Sequence, residues 1–196
     1  MRNLLLLLVF VSSTVSQAQI NFGGKVGANL SNFIGDDADD AKSKFGFNVG
    51  VLAEIPIAST FAVKPELVFS TQGSKTETGS DKYIFRLDYF NLPVLIKYKT
   101  SSGFITETGP QLGLLIGAKA VNNDVESDVK NQFTTTDFSW AFGLGYEIAD
   151  YGFGINFRYN LGLSDIAEGD NSNLKNSVYQ LGVYRTFTPP ARARRK

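Results

Sequence analysis

The sequence predicts an all-β fold, an eight-stranded antiparallel up-and-down barrel that crosses a membrane, and three observations carry that expectation. Apolar and polar residues alternate with a period of two through nearly the whole chain, while helical spacing is almost absent. The connections alternate in kind: "NFIGDDADDAKSK", "GSKTETGSDK", "AKAVNNDVESDVKNQFTT" and "DIAEGDNSNLKN" are long and polar, whereas "IAS", "KTSS" and "AD" are short enough to be hairpin turns. Long loops on one rim and tight turns on the other, with an even strand number, is the layout of an outer-membrane barrel. The polar parity of the strands is rich in glycine and carries charges of balanced sign, which suits a narrow interior better than a wet surface.

The chain opens "MRNLLLLLVFVSSTVSQAQI", with one basic residue at Arg2, an apolar run from Leu4 to Val11 and small residues up to Ala18. This is the pattern of a secretory signal peptide over residues 1–18, cleaved after Ala18. The run is too short to span a bilayer, which needs about 20 residues. The barrel domain is expected over 19–188 and a basic periplasmic tail over 189–196.

Strands are expected near 20–31, 45–57, 60–72, 83–98, 103–117, 136–149, 151–164 and 176–187. The first sets Phe22, Val26, Ala28 and Leu30 against Lys25, Gly27, Asn29 and Ser31. The second sets Phe45, Phe47, Val49, Val51 and Ile55 against Asn48, Gly50 and Glu54. In the third, Phe61, Val63, Leu67 and Phe69 oppose Lys64, Glu66, Ser70 and Gln72. In the fourth the apolar parity slips near Asp88 to Phe90, which a β-bulge or a strand top rising above the membrane would produce. The sixth opposes Phe138, Trp140, Phe142, Leu144 and Tyr146 to Asp137, Ser139, Gly143, Gly145 and Glu147. In the seventh, "FGINFRYNLGLSD", Arg158 stands among glycines and amides on one parity and Phe157 among apolar residues on the other.

Periodicity alone does not say which parity is inside, because a soluble lipocalin-like barrel, periplasmic or secreted and holding a small apolar ligand, alternates in the same way. The polar parity favours the membrane barrel. It holds Lys25, Lys64, Lys97 and Arg158 with Glu54, Glu66, Glu107 and Glu147, equal numbers of each sign. Charges shut in a lumen must be paired, and charges on a wet face need not be. These eight residues are expected to form a structural charge network, with Arg158 bridging to one or more of Glu66, Glu107 and Glu147. Tyr83, Tyr89, Tyr98, Trp140, Tyr146, Tyr151, Tyr159 and Tyr179 are expected in aromatic girdles at the membrane interfaces.

The segments "FRYNLGLSDI", "DYFNLPVLIKY" and "TETGPQLGLLIG" resemble those of the PorT-like outer-membrane β-barrel family of Bacteroidetes, over essentially the whole mature chain from Ile20 to Phe187. The resemblance implies an eight-stranded barrel in the outer membrane of a Gram-negative cell, and it implies little chemistry, the family's namesake being tied to secretion machinery. The family's glutamate before the Leu-Pro pair is Asn91 here, and the chain runs on past Phe187 into "TPPARARRK".

Composition removes several functions. Lys plus Arg number 19 and so do Asp plus Glu, so no global field attracts nucleic acid. Cysteine is absent, so no disulfide helps to hold the fold. Histidine is absent too, and with it the chemistry of outer-membrane enzymes that depend on that base. No catalytic residue, cofactor site or metal site is expected; the acidic stretch 36–40, with Asp36, Asp37, Asp39 and Asp40, lacks EF-hand spacing and reads as a solvated loop tip. The expectation is a non-enzymatic monomer with a plugged lumen. It would meet outer-membrane lipid and would act through its long loops or beside other outer-membrane or secretion components.

Overall fold

The computed structural model describes residues 19–36, 38, 41–78, 81–122, 125–148, 151–169 and 173–187. The expected signal peptide and basic tail lie outside the described residues, as do Asp37, Asp39 and Asp40.

The strands are β1 (Asn21–Ile34), β2 (Ala41–Pro56), β3 (Phe61–Thr78), β4 (Asp81–Lys99), β5 (Phe104–Asn122), β6 (Val125–Asp128), β7 (Thr136–Ile148), β8 (Phe153–Gly162) and β9 (Lys175–Phe187). Neighbours pair antiparallel, β1 also pairs with β9, and β4 pairs with both β3 and β5, so the sheet closes on itself. The short β6 pairs only with the end of β5 and leaves eight strands in the wall. Among the described residues the closed wall of eight strands has no edge, which a bilayer requires because its core offers the backbone no water.

The short turns fall where expected. Two need glycine: Gly103 has φ +94 and Gly152 has φ +59, positions a side chain would strain.

The other rim differs from the sequence reading. Pairing of β3 with β4 continues to Thr78 opposite Asp81, so most of "GSKTETGSDK" is strand and not loop. Likewise β5 runs to Asn122 and the chain folds back as β6, with Lys119 opposite Asp128. Strand that rises above the membrane has water on its outer face, so it is as polar in composition as a loop, while its backbone groups still need partners and find them in the ladder.

The change of apolar parity read in β4 coincides with a β-bulge and with the strand top rising above the belt, although β4 itself keeps one set of side chains inward. Its odd positions stay inward from Leu87 through Tyr89, Asn91 and Leu95 to Lys97, all buried. The bulge lies on the neighbouring strand, where Asp88 faces Gly117 but Tyr89 faces Leu115, leaving Ile116 as the extra residue. What changes along β4 is the surroundings of its inner face, polar in the middle of the barrel and apolar near the loops.

The outer face is an apolar belt that includes Phe22, Phe45, Val51, Leu144 and Leu181, with Phe45 76% exposed. No soluble fold leaves so large a continuous apolar surface wet, and a bilayer covers it. Aromatic pairs lie within it, Phe61 with Tyr98 at 5.0 Å and Tyr159 with Tyr179 at 4.7 Å between ring centroids. Tyr98, Trp140, Tyr146, Tyr151 and Tyr179 face outward as expected of girdle residues. Tyr89 does not; it points inward and is fully buried, and Tyr83 stands at the loop end of β4 opposite Thr76 and Asn122.

Candidate functional site

The strand register brings every one of the eight anticipated charges into the lumen, in two linked groups. In the middle, Glu66 accepts from both terminal nitrogens of Arg158, at 2.8 and 2.9 Å, and from Lys25 at 3.1 Å, with Lys64 at 3.4 Å. Glu107 accepts from Arg158 at 2.8 Å and from Lys64 at 2.5 Å. Nearer the short turns, Lys97 donates to Glu54 at 2.7 Å and to Glu147, and Lys99 donates to Glu147 at 2.6 Å. Arg158 is 1% exposed, which settles the inside and the outside of β8. A lipocalin-like carrier needs the opposite assignment, an apolar interior and a wet polar exterior, and is rejected.

Two glycines explain how partners two strands apart meet. Gly143 on β7 stands between Glu107 on β5 and Arg158 on β8 in the register, and with no side chain there the guanidinium reaches across. Gly154 on β8 stands in the same way between Glu147 and Tyr184. A Cβ on Gly154 would lie 2.3 Å from the Tyr184 ring, so the ring occupies the space the glycine leaves.

Tyr184 and Lys99 are members the sequence reading missed; Tyr184 lies the deeper. The Tyr184 hydroxyl donates to Glu147 at 2.7 Å, and its ring lies under the ammonium groups of Lys64, at 4.4 Å, and Lys97, at 5.5 Å. The ring therefore joins the two charge groups through cation–π contact. Its parity, shared with Gln180 and Gly182 in "YQLGVYRTF", was the available signal. Tyr184→Phe is expected to keep the ring contacts and lose the hydrogen bond to a carboxylate. The expected loss is about 1.5 to 3 kcal/mol of unfolding free energy, read from the urea midpoint in detergent.

Of the three carboxylates anticipated as candidates for Arg158, two are its partners. Arg158 binds Glu66 and Glu107, whereas Glu147 is held by Lys97, Lys99 and Tyr184. Lys99 adds a fifth cation to four carboxylates, and its side chain, 32% exposed, keeps part of that charge at the wet rim. The fully enclosed charges remain matched. Each carboxylate is occupied by one to three cations, and the arrangement ties strands together across the lumen.

Above the charges the lumen is lined by amides and hydroxyls. Asn48 donates to Asn29 at 2.6 Å, Asn29 to Ser70 at 2.9 Å, and Gln111 to Ser139 at 3.1 Å. Higher still, Asp137 accepts from Asn176 at 2.9 Å, and Asn176 donates to the Tyr89 hydroxyl at 3.3 Å. The loop end is then shut by an apolar cap. Phe33, Leu87, Tyr89, Leu115 and Ala118 on the strands pack with Val129, Phe133 and Ile166 from the loops. The loops after β6 and β8 are joined at this level by a bridge between Phe133 and Ala167. Asp36, the one described acid of the stretch 36–40, accepts from Asn173 at 2.8 Å.

Comparison with known proteins agrees with the barrel fold. Residues 15–168 match the family described as outer membrane protein beta-barrel domain. Among solved structures, Neisserial surface protein A superposes with a TM-score of 0.57 at 16% identity, covering 85% of this chain and 97% of that one. Ail, the attachment invasion locus protein of Yersinia pestis, gives a TM-score of 0.49 at 16% identity, covering 85% of this chain and 98% of that one. At such identities the likeness is one of fold. No curated protein matches the sequence.

Proposed function

This chain belongs to the outer membrane protein beta-barrel domain family, and from that premise we propose that it is a closed, non-enzymatic barrel that works by presenting its outer rim and not by passing solutes. The observation that carries the reading is closure at two levels, the salt-bridged middle of the lumen and the apolar cap over its loop end. A lumen of eight strands is just wide enough for side chains to fill, and here they fill it. What stays available to a partner in the medium is the rim above the membrane: the extended ends of β3 to β5, the β6 hairpin and the connection between β8 and β9. Reconstituted as a monomer in planar bilayers, the protein is expected to give no conductance steps of porin size. Such steps would overturn the reading.

A finer assignment rests on the resemblance to PorT-like barrels, which supports an accessory role beside a secretion or other outer-membrane assembly. The segments "DYFNLPVLIKY" and "TETGPQLGLLIG" support it from the sequence side. Crosslinking in native membranes followed by pull-down tests it: a reproducible assembly component is expected, and a barrel recovered alone refutes the accessory role.

A further inference from the structure

The outer wall of β2 to β5 carries a cleft of about 500 Å³ just above the apolar belt, lined on its upper side by Lys75, Arg86 and Lys119 with Asp88 as the one acid, and backed by Lys44, which is buried and donates to the Gln72 carbonyl at 3.1 Å. Its lower side is formed by Phe45 and Phe47, the first residues of the lipid-facing stripe on β2. Register explains the grouping. Lys75 faces Ile84, Arg86 faces Lys119, and the ladder between β2 and β3 is irregular from Ser43 to Asn48, which opens the wall at that height.

Cations over aromatic residues, at the level where strands leave the bilayer, are matched by one kind of molecule, an anionic amphiphile. We propose that this cleft binds the phosphorylated headgroup of an outer-leaflet lipid, with the start of an acyl chain lying on Phe45 and Phe47. An anion position is already visible beside it. Glu126 of the β6 hairpin accepts from Arg86 at 2.8 Å and from Lys119 at 2.9 Å, so the two cations are spaced to share a single acidic group. The hydrogen bond from Lys119 holds the Glu126 carboxyl below its usual pKa. Both residues line the cleft, with the Lys119 side chain 58% and that of Arg86 47% exposed, so a lipid phosphate adds to this pair or takes the place of the carboxylate. Charge weighs against the zwitterionic alternative: Lys44, Lys75, Arg86 and Lys119 outnumber Asp88 and Glu126, and a zwitterion would bring a further cation to them.

The test titrates the folded barrel in detergent micelles with diphosphorylated lipid A, with the same lipid after removal of its phosphates, and with inorganic phosphate, by calorimetry. The phosphorylated lipid is expected to bind saturably and at least about tenfold more tightly than the dephosphorylated one, with affinity falling as salt rises. Lys75→Gln, Arg86→Gln and Lys119→Gln combined should weaken it by at least about tenfold, three surface cations each being worth several-fold. Equal binding of the two lipids, or an unchanged affinity in the triple variant, overturns the proposal. Inorganic phosphate binding as well as the lipid overturns the lipid assignment. Heat-modifiable migration checks that the variant is folded, and if it is not, the comparison of the two lipids on the unaltered barrel decides.

Discussion

Arg158→Leu is expected to lower the unfolding free energy of the barrel, folded in detergent or lipid, by about 3 to 5 kcal/mol, the usual consequence of removing one partner from a buried ion pair. The reason lies in what is left behind. Glu66 would keep Lys25 and Lys64, but Glu107 would keep only Lys64, and the space of the guanidinium would pass to a side chain that donates nothing. Arg158→Lys separates charge from shape. It retains the cation but not the fork that meets Glu66 through both terminal nitrogens while also reaching Glu107, so it is expected to recover only part of the loss. Urea midpoints of the three proteins make the comparison. An unchanged midpoint for Arg158→Leu would mean that the arginine does not face the lumen.

The arginine's inward orientation was legible in the sequence because a period of two assigns a whole strand at once. Placing Arg158 on the side of Asn156 and Asn160 also placed Gly154 and Gly162, and the same reasoning put Lys25, Lys64 and Glu107 inside. Which cation meets which carboxylate was not legible. That depends on register between strands far apart in the chain, as Glu147 shows: it shares a parity with Glu107 yet lies nearer the short turns, within reach of Lys97 and not of Arg158. The cap was hidden for another reason. Val129, Phe133 and Ile166 are isolated apolar residues in polar loops, where periodicity has nothing to count, and only the inward turn of Leu87 and Tyr89 gives them something to bury against. Tyr89 was concealed by the girdle itself, since tyrosine is expected at the interfaces and this one instead turns into the lumen, whereas Tyr184 was given no place although its parity put it inside.

Why the lumen is charged is a separate physical question, because a buried ion pair often stabilises no more than well-packed apolar residues of the same volume. The answer follows from the belt outside. If the inner parity were apolar as well, the two faces of each strand would be alike, and a shift of one residue in pairing would exchange them at little cost. With Lys64, Glu66 and Arg158 inside, the same shift would carry three charges into hydrocarbon. The network thus specifies which face is which, and its contribution is measured against the slipped barrel more than against the unfolded chain.

Phe157→Arg reproduces that slip at a single position. Phe157 is 47% exposed, stands between Leu144 and Leu181 in the register, and lies 6.0 Å from the Tyr179 ring, well inside the belt. An arginine there meets the bilayer near its midplane, and the expected cost is roughly 2 to 4 kcal/mol, falling to about 0 to 1 near the interfaces. Tyr151→Arg supplies the interface control, since Tyr151 is 70% exposed beside the short turn before β8. Measured in lipid, the first change should be several times as costly as the second. Equal costs would remove the depth dependence that a bilayer imposes and would place β8 in a medium of one polarity along its length. Together with Arg158→Leu the result is specific to a membrane barrel: on neighbouring residues of one strand, removing an arginine and adding one are both destabilising, because each leaves a charge without what the opposite face provides.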